Sequence, residues 1–240
     1  DEAVIRKHIE RAKAAGVDGF IASWWGQGTF EDRALRKLLA VAEKEKFLVG
    51  AYYEQAKDAK QIADDLAYLD REYGPSPAWL RTDGAPVVFV YTRVTAAFPP
   101  ADFVRARAKA LLMMDTADLA TARAGGGLHS YNPVFSDLDP LRADYQSASF
   151  AARVNGLVFA ATVVPGYDDT CVRSPGASRA RDGGKLYDAF WEAAIASEPD
   201  WILVCSWNEW HEGSEIEPSR EHGDLYLKKT AEWVKKWKAK

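Results

Sequence analysis

Trp201-Ile202-Leu203-Val204-Cys205-Ser206-Trp207-Asn208-Glu209 is a run of five apolar residues that breaks into polar and aromatic groups. An apolar segment of this length reads as a strand covered on both faces, as strands of parallel sheets are. Working outward from it, the same kind of run recurs along the chain. Strands are expected at Gly19–Trp25, Phe47–Glu54, Pro86–Thr92, Ala110–Met114, Gly127–Tyr131, Leu157–Val164 and Trp201–Ser206. Helical spacing fills the gaps, over Arg33–Lys46, Ala56–Tyr73, Asp102–Lys109, Asp115–Ala124, Pro140–Ala152, Lys185–Ser197 and Leu225–Lys238. The chain opens inside another helical pattern, with Ile5, Ile9, Ala12 and Ala15 leading to Gly16. Repeated strand–helix units point to a parallel sheet with helices outside it. The economical fold is an α/β (β/α)8 TIM barrel in one domain over residues 1–240, its first strand lying upstream of Asp1. An open doubly wound sheet is the rival. It lacks its phosphate fingerprint here, because Gly26-Gln27-Gly28 has no third glycine and no Walker-type lysine loop is present.

Composition narrows the classes of function. The 240 residues are 48% apolar, enough for a full-sized core. Lys and Arg number 31 against 35 Asp and Glu, a net charge of -4, which offers no field for nucleic acid. No apolar run approaches the roughly 20 residues needed to span a bilayer. Nine tryptophans in a 12% aromatic complement favour a ligand site with flat apolar walls. Cys171 and Cys205 make a weak case for a disulfide, one reading as an incidental loop residue and the other as a buried thiol.

In a barrel, functional groups gather at the carboxyl ends of the strands. Five of the seven expected strands end in residues suited to a sugar: Trp24 and Trp25, Tyr53 and Glu54, His129 and Tyr131, Tyr167 to Asp169, and Trp207 to Glu212. The last group is the densest. Glu209 and Glu212 stand three residues apart, with Trp207, Asn208, Trp210 and His211 around them and Glu215 and Glu217 just beyond. Carboxylates so crowded beside aromatic rings repel, an arrangement proteins keep where acid–base chemistry needs it. A zinc-protease reading fails, because the position four residues after His211 is Glu215 rather than histidine. In common retaining glycosidases the acid and nucleophile face each other at about 5–5.5 Å from different strands. Two glutamates in one loop depart from that scheme.

The motif Ser206-Trp207-Asn208-Glu209-Trp210-His211-Glu212-Gly213-Ser214-Glu215-Ile216-Glu217-Pro218 closely resembles the signature of glycoside hydrolase family 99, the endo-α-mannosidase and endo-α-mannanase family. Pro165-Gly166-Tyr167-Asp168-Asp169-Thr170-Cys171-Val172-Arg173 is similar to that family's Pro-Gly-Tyr-x-Asp-Thr-x-x-Arg segment. Gly16 to Phe20 running into Ser23-Trp24-Trp25, and Tyr53-Glu54, resemble further family positions. The resemblance implies a (β/α)8 barrel that retains anomeric configuration without a carboxylate nucleophile. Glu209 would deprotonate the sugar's own 2-hydroxyl, which attacks the anomeric carbon to give a 1,2-anhydro sugar. Glu212 would serve as acid and then as base. No metal or cofactor is implied, and the partner is an oligosaccharide or polysaccharide. A monomer is expected, in a secreted, periplasmic or secretory-pathway location, although no signal segment is visible.

Departures from the family pattern point to altered subsites. Ser214-Glu215 replaces a usual Thr-Gln, which adds a negative charge beside the site, and 174–184 is rich in Arg and Gly without the usual Trp-Asn. Asp169 and Arg173 read equally as a positioning pair and as a structural ion pair. Trp24 and Trp25 alternate sides, so at most one faces a ligand. His129 and Tyr131, two apart on the expected strand, share a face. Lys228–Lys240, with Trp233 and Trp237, reads either as a membrane-surface helix or as one that packs its tryptophans inward. A non-catalytic carbohydrate-binding barrel, or a cell-surface polysaccharide-processing protein acting on another sugar, stands as the alternative function.

Overall fold

The computed structural model describes residues 1–239; Lys240, the last residue of the basic stretch, lies outside them. Among the described residues, seven parallel strands alternate with helices along the chain, the element order of a (β/α)8 barrel. The chain forms two compact units.

The first unit comprises Asp1–Lys13, Asp18–His129 and Asn155–Val158. Its strands Gly19–Trp24, Leu48–Tyr53, Ala85–Val90, Leu111–Asp115 and Gly126–His129 pair side by side in that order, all parallel. The register sets Trp24 against Tyr53, Tyr53 against Val90 and Val90 against Met114, so the carboxyl ends form one level row. The expected strands are present, displaced by a residue or two at their ends. Leu39, Val49, Ile62, Val88, Phe103 and Met113 are among the buried apolar groups that hold the unit together.

Helix starts follow local chemistry. Thr29 caps Phe30–Glu45 by accepting the Asp32 N–H, and Asp58 caps Ala59–Glu72 by accepting that of Gln61 at 2.7 Å. Asp118 does the same for Leu119–Gly125, which moves that helix start past the expected Asp115. One element escapes the periodicity. Arg81–Thr82 turns back antiparallel onto Ala85–Val90 through Asp83 and Gly84, both at positive φ (48° and 79°). An Asp-Gly pair of this kind suits a two-residue hairpin turn.

The second unit comprises Ala14–Val17, Ser130–Val154 and Phe159–Lys240. Val158–Val163 pairs in parallel with Trp201–Val204, Val163 opposite Val204. The helices Leu138–Val154, Lys185–Ala196 and Leu225–Lys238 accompany them, and Tyr167–Asp168 forms a short hairpin with Ser178–Arg179. The last helix packs its aromatic face. Trp233 stacks on buried Trp191 at 6.3 Å with the rings 4° from parallel, and its indole N–H donates to Asp188 at 2.8 Å. Lys235, Lys236 and Lys238 are exposed, the Lys236 ammonium lying 3.8 Å from the centre of the Trp233 ring and that of Lys238 donating to the Gly16 carbonyl at 2.9 Å. Among the described residues, no helix is long and apolar enough to cross a membrane.

Candidate active site

The strand ends of the first unit divide by alternation. Trp24 and Tyr53 have no exposed surface. The Trp24 indole N–H donates to Asp32 at 2.8 Å and the Tyr53 hydroxyl to Asp65 at 2.9 Å. Both therefore point at the helices that carry those aspartates, and neither offers a face to a sugar, which corrects their expected role as ligand groups. Asp32 also takes the hydroxyls of Tyr73 (2.5 Å) and Tyr68 (2.7 Å) and the Gly28 amide (2.9 Å). Burial opposes its charge, but the Tyr73, Trp24, Gly28 and Tyr68 donors together hold its pKa below the ordinary value.

The other side of the same strands carries the available groups. The Ser23 hydroxyl donates to the Glu54 carboxylate at 2.7 Å and accepts from the Trp25 indole N–H at 2.9 Å. The Arg93 guanidinium lies 5.3 Å from the Trp25 ring. Tyr52, one residue before the expected Tyr53, bonds through its hydroxyl to Nε2 of His129 at 2.9 Å. His129 is only 2% exposed and sits edge-on to Phe89, and burial lowers its pKa to about 3, so the ring is neutral. It is a packed partner of Tyr52 rather than a group with its own ligand face, which corrects its expected role. The strand ends at His129, so the alternation expected to align it with Tyr131 no longer applies.

In the second unit, Trp201–Val204 opens into a closed turn. The Ser206 and Ser214 hydroxyls meet at 2.9 Å, the Ser206 N–H donates to the Ser214 carbonyl at 2.9 Å, and the Glu209 N–H donates to the Ser206 hydroxyl at 2.9 Å. Trp210–Glu212 is a single 3-10 turn ended by Gly213 at φ 55°. A Cβ on Gly213 would lie in tight contact, 3.1 Å from the Asp168 backbone N and O, at a positive φ of 55° that itself favours glycine. This turn presents both glutamates. The Glu209 side chain is 42% exposed and its Oε1 lies 3.7 Å from Nδ1 of exposed His211. Glu212 is more enclosed, 17% exposed, and accepts Nη2 of Arg173 at 2.9 Å. Asn208 and Trp210 are exposed and Trp207 is half-buried.

Arg173 is shared. Its Nη1 lies 2.5 Å from the Asp169 carboxylate, which also accepts the Tyr167 hydroxyl at 2.8 Å and the Ala177 N–H at 2.7 Å. The Ala177 amide and then Arg173 lower Asp169 to a pKa of about 2. Tyr131 is half-buried; its phenol is raised first by burial, then by Cys205 and the charges of Glu212 and Glu209, so it stays protonated beside them. Burial pushes the Cys205 thiol up to about 12, and both cysteines are free. Among the described residues, no group of three or more His, Cys, Asp or Glu is placed to hold a metal. Two features of the turn were not foreseen. Glu215 is buried and paired with Arg181 at 2.8 Å, so the extra charge expected beside the site is neutralised, and its partner comes from the Arg-rich segment.

A pH dependence follows from Asp169. Its folded pKa of about 2 lies below the unfolded value of about 3.9. Its contribution to stability is therefore complete above about pH 4 and is lost as pH falls from there to about 2. Thermal melts across this range should show Asp169→Asn flattening that part of the stability curve. An unchanged acid limb would contradict the assignment.

The profile of Glycosyl hydrolase family 99 matches residues 1–106 and 140–239. The glycoprotein endo-alpha-1,2-mannosidase of Rattus norvegicus is 24% identical over 261 residues, covering 95% of this chain and 56% of its own length. The glycoprotein endo-alpha-1,2-mannosidase-like protein of Homo sapiens is 24% identical, covering 98% of this chain and 61% of its own. The chain thus spans little more than half the length of these curated relatives. The GH99 endo-alpha-mannosidase structure from Bacteroides thetaiotaomicron superimposes with a TM-score of 0.88 at 28% identity, covering 100% of this chain and 80% of that one. The catalytic domain of the major endoglucanase of Xanthomonas campestris pv. campestris shares the fold alone, with a TM-score of 0.61 at 12% identity.

Proposed function

Because the chain belongs to glycosyl hydrolase family 99, we propose that it is a retaining, endo-acting glycoside hydrolase that cleaves internal α-mannosidic linkages in an oligosaccharide or polysaccharide. The observation that carries this reading is the turn 206–217, which presents Glu209 and Glu212 from one loop, with Arg173 fixing the latter. Two carboxylates on one turn suit a reaction in which neither attacks the anomeric carbon.

In the first step Glu209 takes the proton of the 2-hydroxyl. The 2-oxygen attacks C1, the C1–O bond to the leaving sugar breaks, and Glu212 gives its proton to that departing oxygen. In the second step Glu212 takes a proton from water, the water oxygen attacks C1, and the 1,2-anhydro ring opens as Glu209 returns its proton to the 2-oxygen. Each step inverts C1, so the configuration is retained overall. Arg173 engages Oε1 of Glu212 and leaves Oε2 to reach the substrate. Tyr131, hydrogen-bonded to the buried Cys205 thiol and kept protonated by its own burial, adds a neutral phenol to the surroundings of the two carboxylates. Trp210, exposed on the same turn as the two glutamates, offers an apolar ring on which a sugar can stack.

The test is a product ladder. Incubated with α-linked mannan oligosaccharides, the protein should release fragments of two or more residues, read by mass spectrometry. Stepwise release of single sugars would overturn endo action.

A further inference from the structure

Arg181 and Glu215 have no part in the reaction as described, yet they form an enclosed ion pair, with side chains 11% and 7% exposed. Nη2 of Arg181 lies 2.8 Å from the Glu215 carboxylate. The same guanidinium donates to the Glu215 carbonyl through Nη1 and to the Gly213 carbonyl through Nη2, each at 2.9 Å. It lies 4.5 Å from the centre of the buried Tyr226 ring. Its stem fills the space left by Gly166, where a Cβ would collide with Arg181 Cγ. As a source of stability such a pair is inefficient, since the cost of desolvating two charges rivals their attraction. What a guanidinium offers instead is direction, because its donors lie in a rigid plane. Here they end on the two carbonyls that flank Ser214.

Those carbonyls govern where the glutamates stand. Gly213 follows Glu212 directly. Ser214 is fully buried and joined to Ser206, while its N–H reaches back to the Glu209 carbonyl at 3.4 Å. Glu209 is also anchored at the opening end, its N–H on the Ser206 hydroxyl, so the closing end held by Arg181 bears chiefly on Glu212. We propose that Arg181, neutralised by Glu215, is a positioning residue that holds the backbone at 213–215 so that Glu212 meets the leaving oxygen at proton-transfer distance. This rests on the role given to Glu212 above. A displacement of about 1 Å in such a group can cost about 100-fold in rate.

The experiment compares Arg181→Lys, which keeps the charge and loses the fork, with Glu215→Gln, which keeps the shape and loses the charge. Each is assayed on an α-mannobiosyl fluoride, whose fluoride departs without a proton, and on an α-linked mannotriose, whose leaving oxygen needs one. With the trisaccharide, kcat should fall about tenfold or more in both variants while KM stays within about twofold; with the fluoride, kcat/KM, which reads only the step in which fluoride leaves, should stay within about twofold. Near-UV circular dichroism and a cooperative melt establish that each variant is folded, and Glu215→Gln decides alone if Arg181→Lys does not fold. Equal losses on both substrates, or no loss on either, would make the pair merely structural and overturn the proposal. A parental protein inactive on both substrates overturns the functional reading itself, and the role of Arg181 with it.

Discussion

Glu209→Gln and Glu212→Gln should each lower kcat on α-linked mannan oligosaccharides by about 10²–10⁴-fold, the range over which a positioned acid or base acts. Both amides are close in shape to the carboxylates they replace, and both side chains are at least partly accessible, so the fold should persist. The variants separate on an activated substrate. An α-mannobiosyl fluoride needs no proton at the leaving atom, so Glu212→Gln should regain much of the first step. Glu209→Gln should stay slow, because the 2-hydroxyl must lose its proton whatever leaves. Rates within about tenfold of the parental enzyme for either variant would remove that glutamate from the reaction. Equal recovery of both on the fluoride would refute the division of roles between them.

The largest effect on stability is expected at a distance from the chemistry. Asp32 collects donors from Trp24, Gly28, Tyr68 and Tyr73 while only 3% exposed. Asp32→Ala removes the common acceptor and leaves buried Trp24 and Tyr73 without it. Orphaned buried donors cost about 1–3 kcal/mol each, so the substitution should lower stability by about 3–5 kcal/mol. Urea denaturation should show the midpoint falling with an unchanged slope. A loss below about 1 kcal/mol would mean that water or a rearrangement of Tyr68 and Tyr73 replaces the carboxylate.

The fold was largely legible in the sequence because buried parallel strands are written as unbroken apolar runs, and Leu48–Tyr53 and Trp201–Val204 lie inside the segments expected for them. The antiparallel Arg81–Thr82 hairpin was missed because two residues are too few to carry a period, although Asp83-Gly84 signalled its turn. The motif around Glu209 and Glu212 was equally plain, since its residues are consecutive. Strand alternation also fixes which strand-end residues face the helices. If Glu54 and Trp25 face one side, their same-side neighbours are Tyr52 and Ser23, and Trp24 and Tyr53 must face the helices. Their burial against Asp32 and Asp65 follows from that parity. The neutralisation of Glu215 by Arg181 could not be read locally, because the two lie 34 positions apart and meet only through the fold. For the same reason, a histidine at a strand end looked like a ligand group until its burial beside Tyr52 and Phe89 was known.

Proton NMR of the first product formed from an α-linked mannan oligosaccharide tests the central claim most directly, read before the free sugar mutarotates. Hydrolysis by two inversions at C1 predicts that the new reducing end appears as the α anomer and drifts later toward equilibrium. A β anomer formed first would mean a single displacement by water. That would contradict the roles assigned to Glu209 and Glu212.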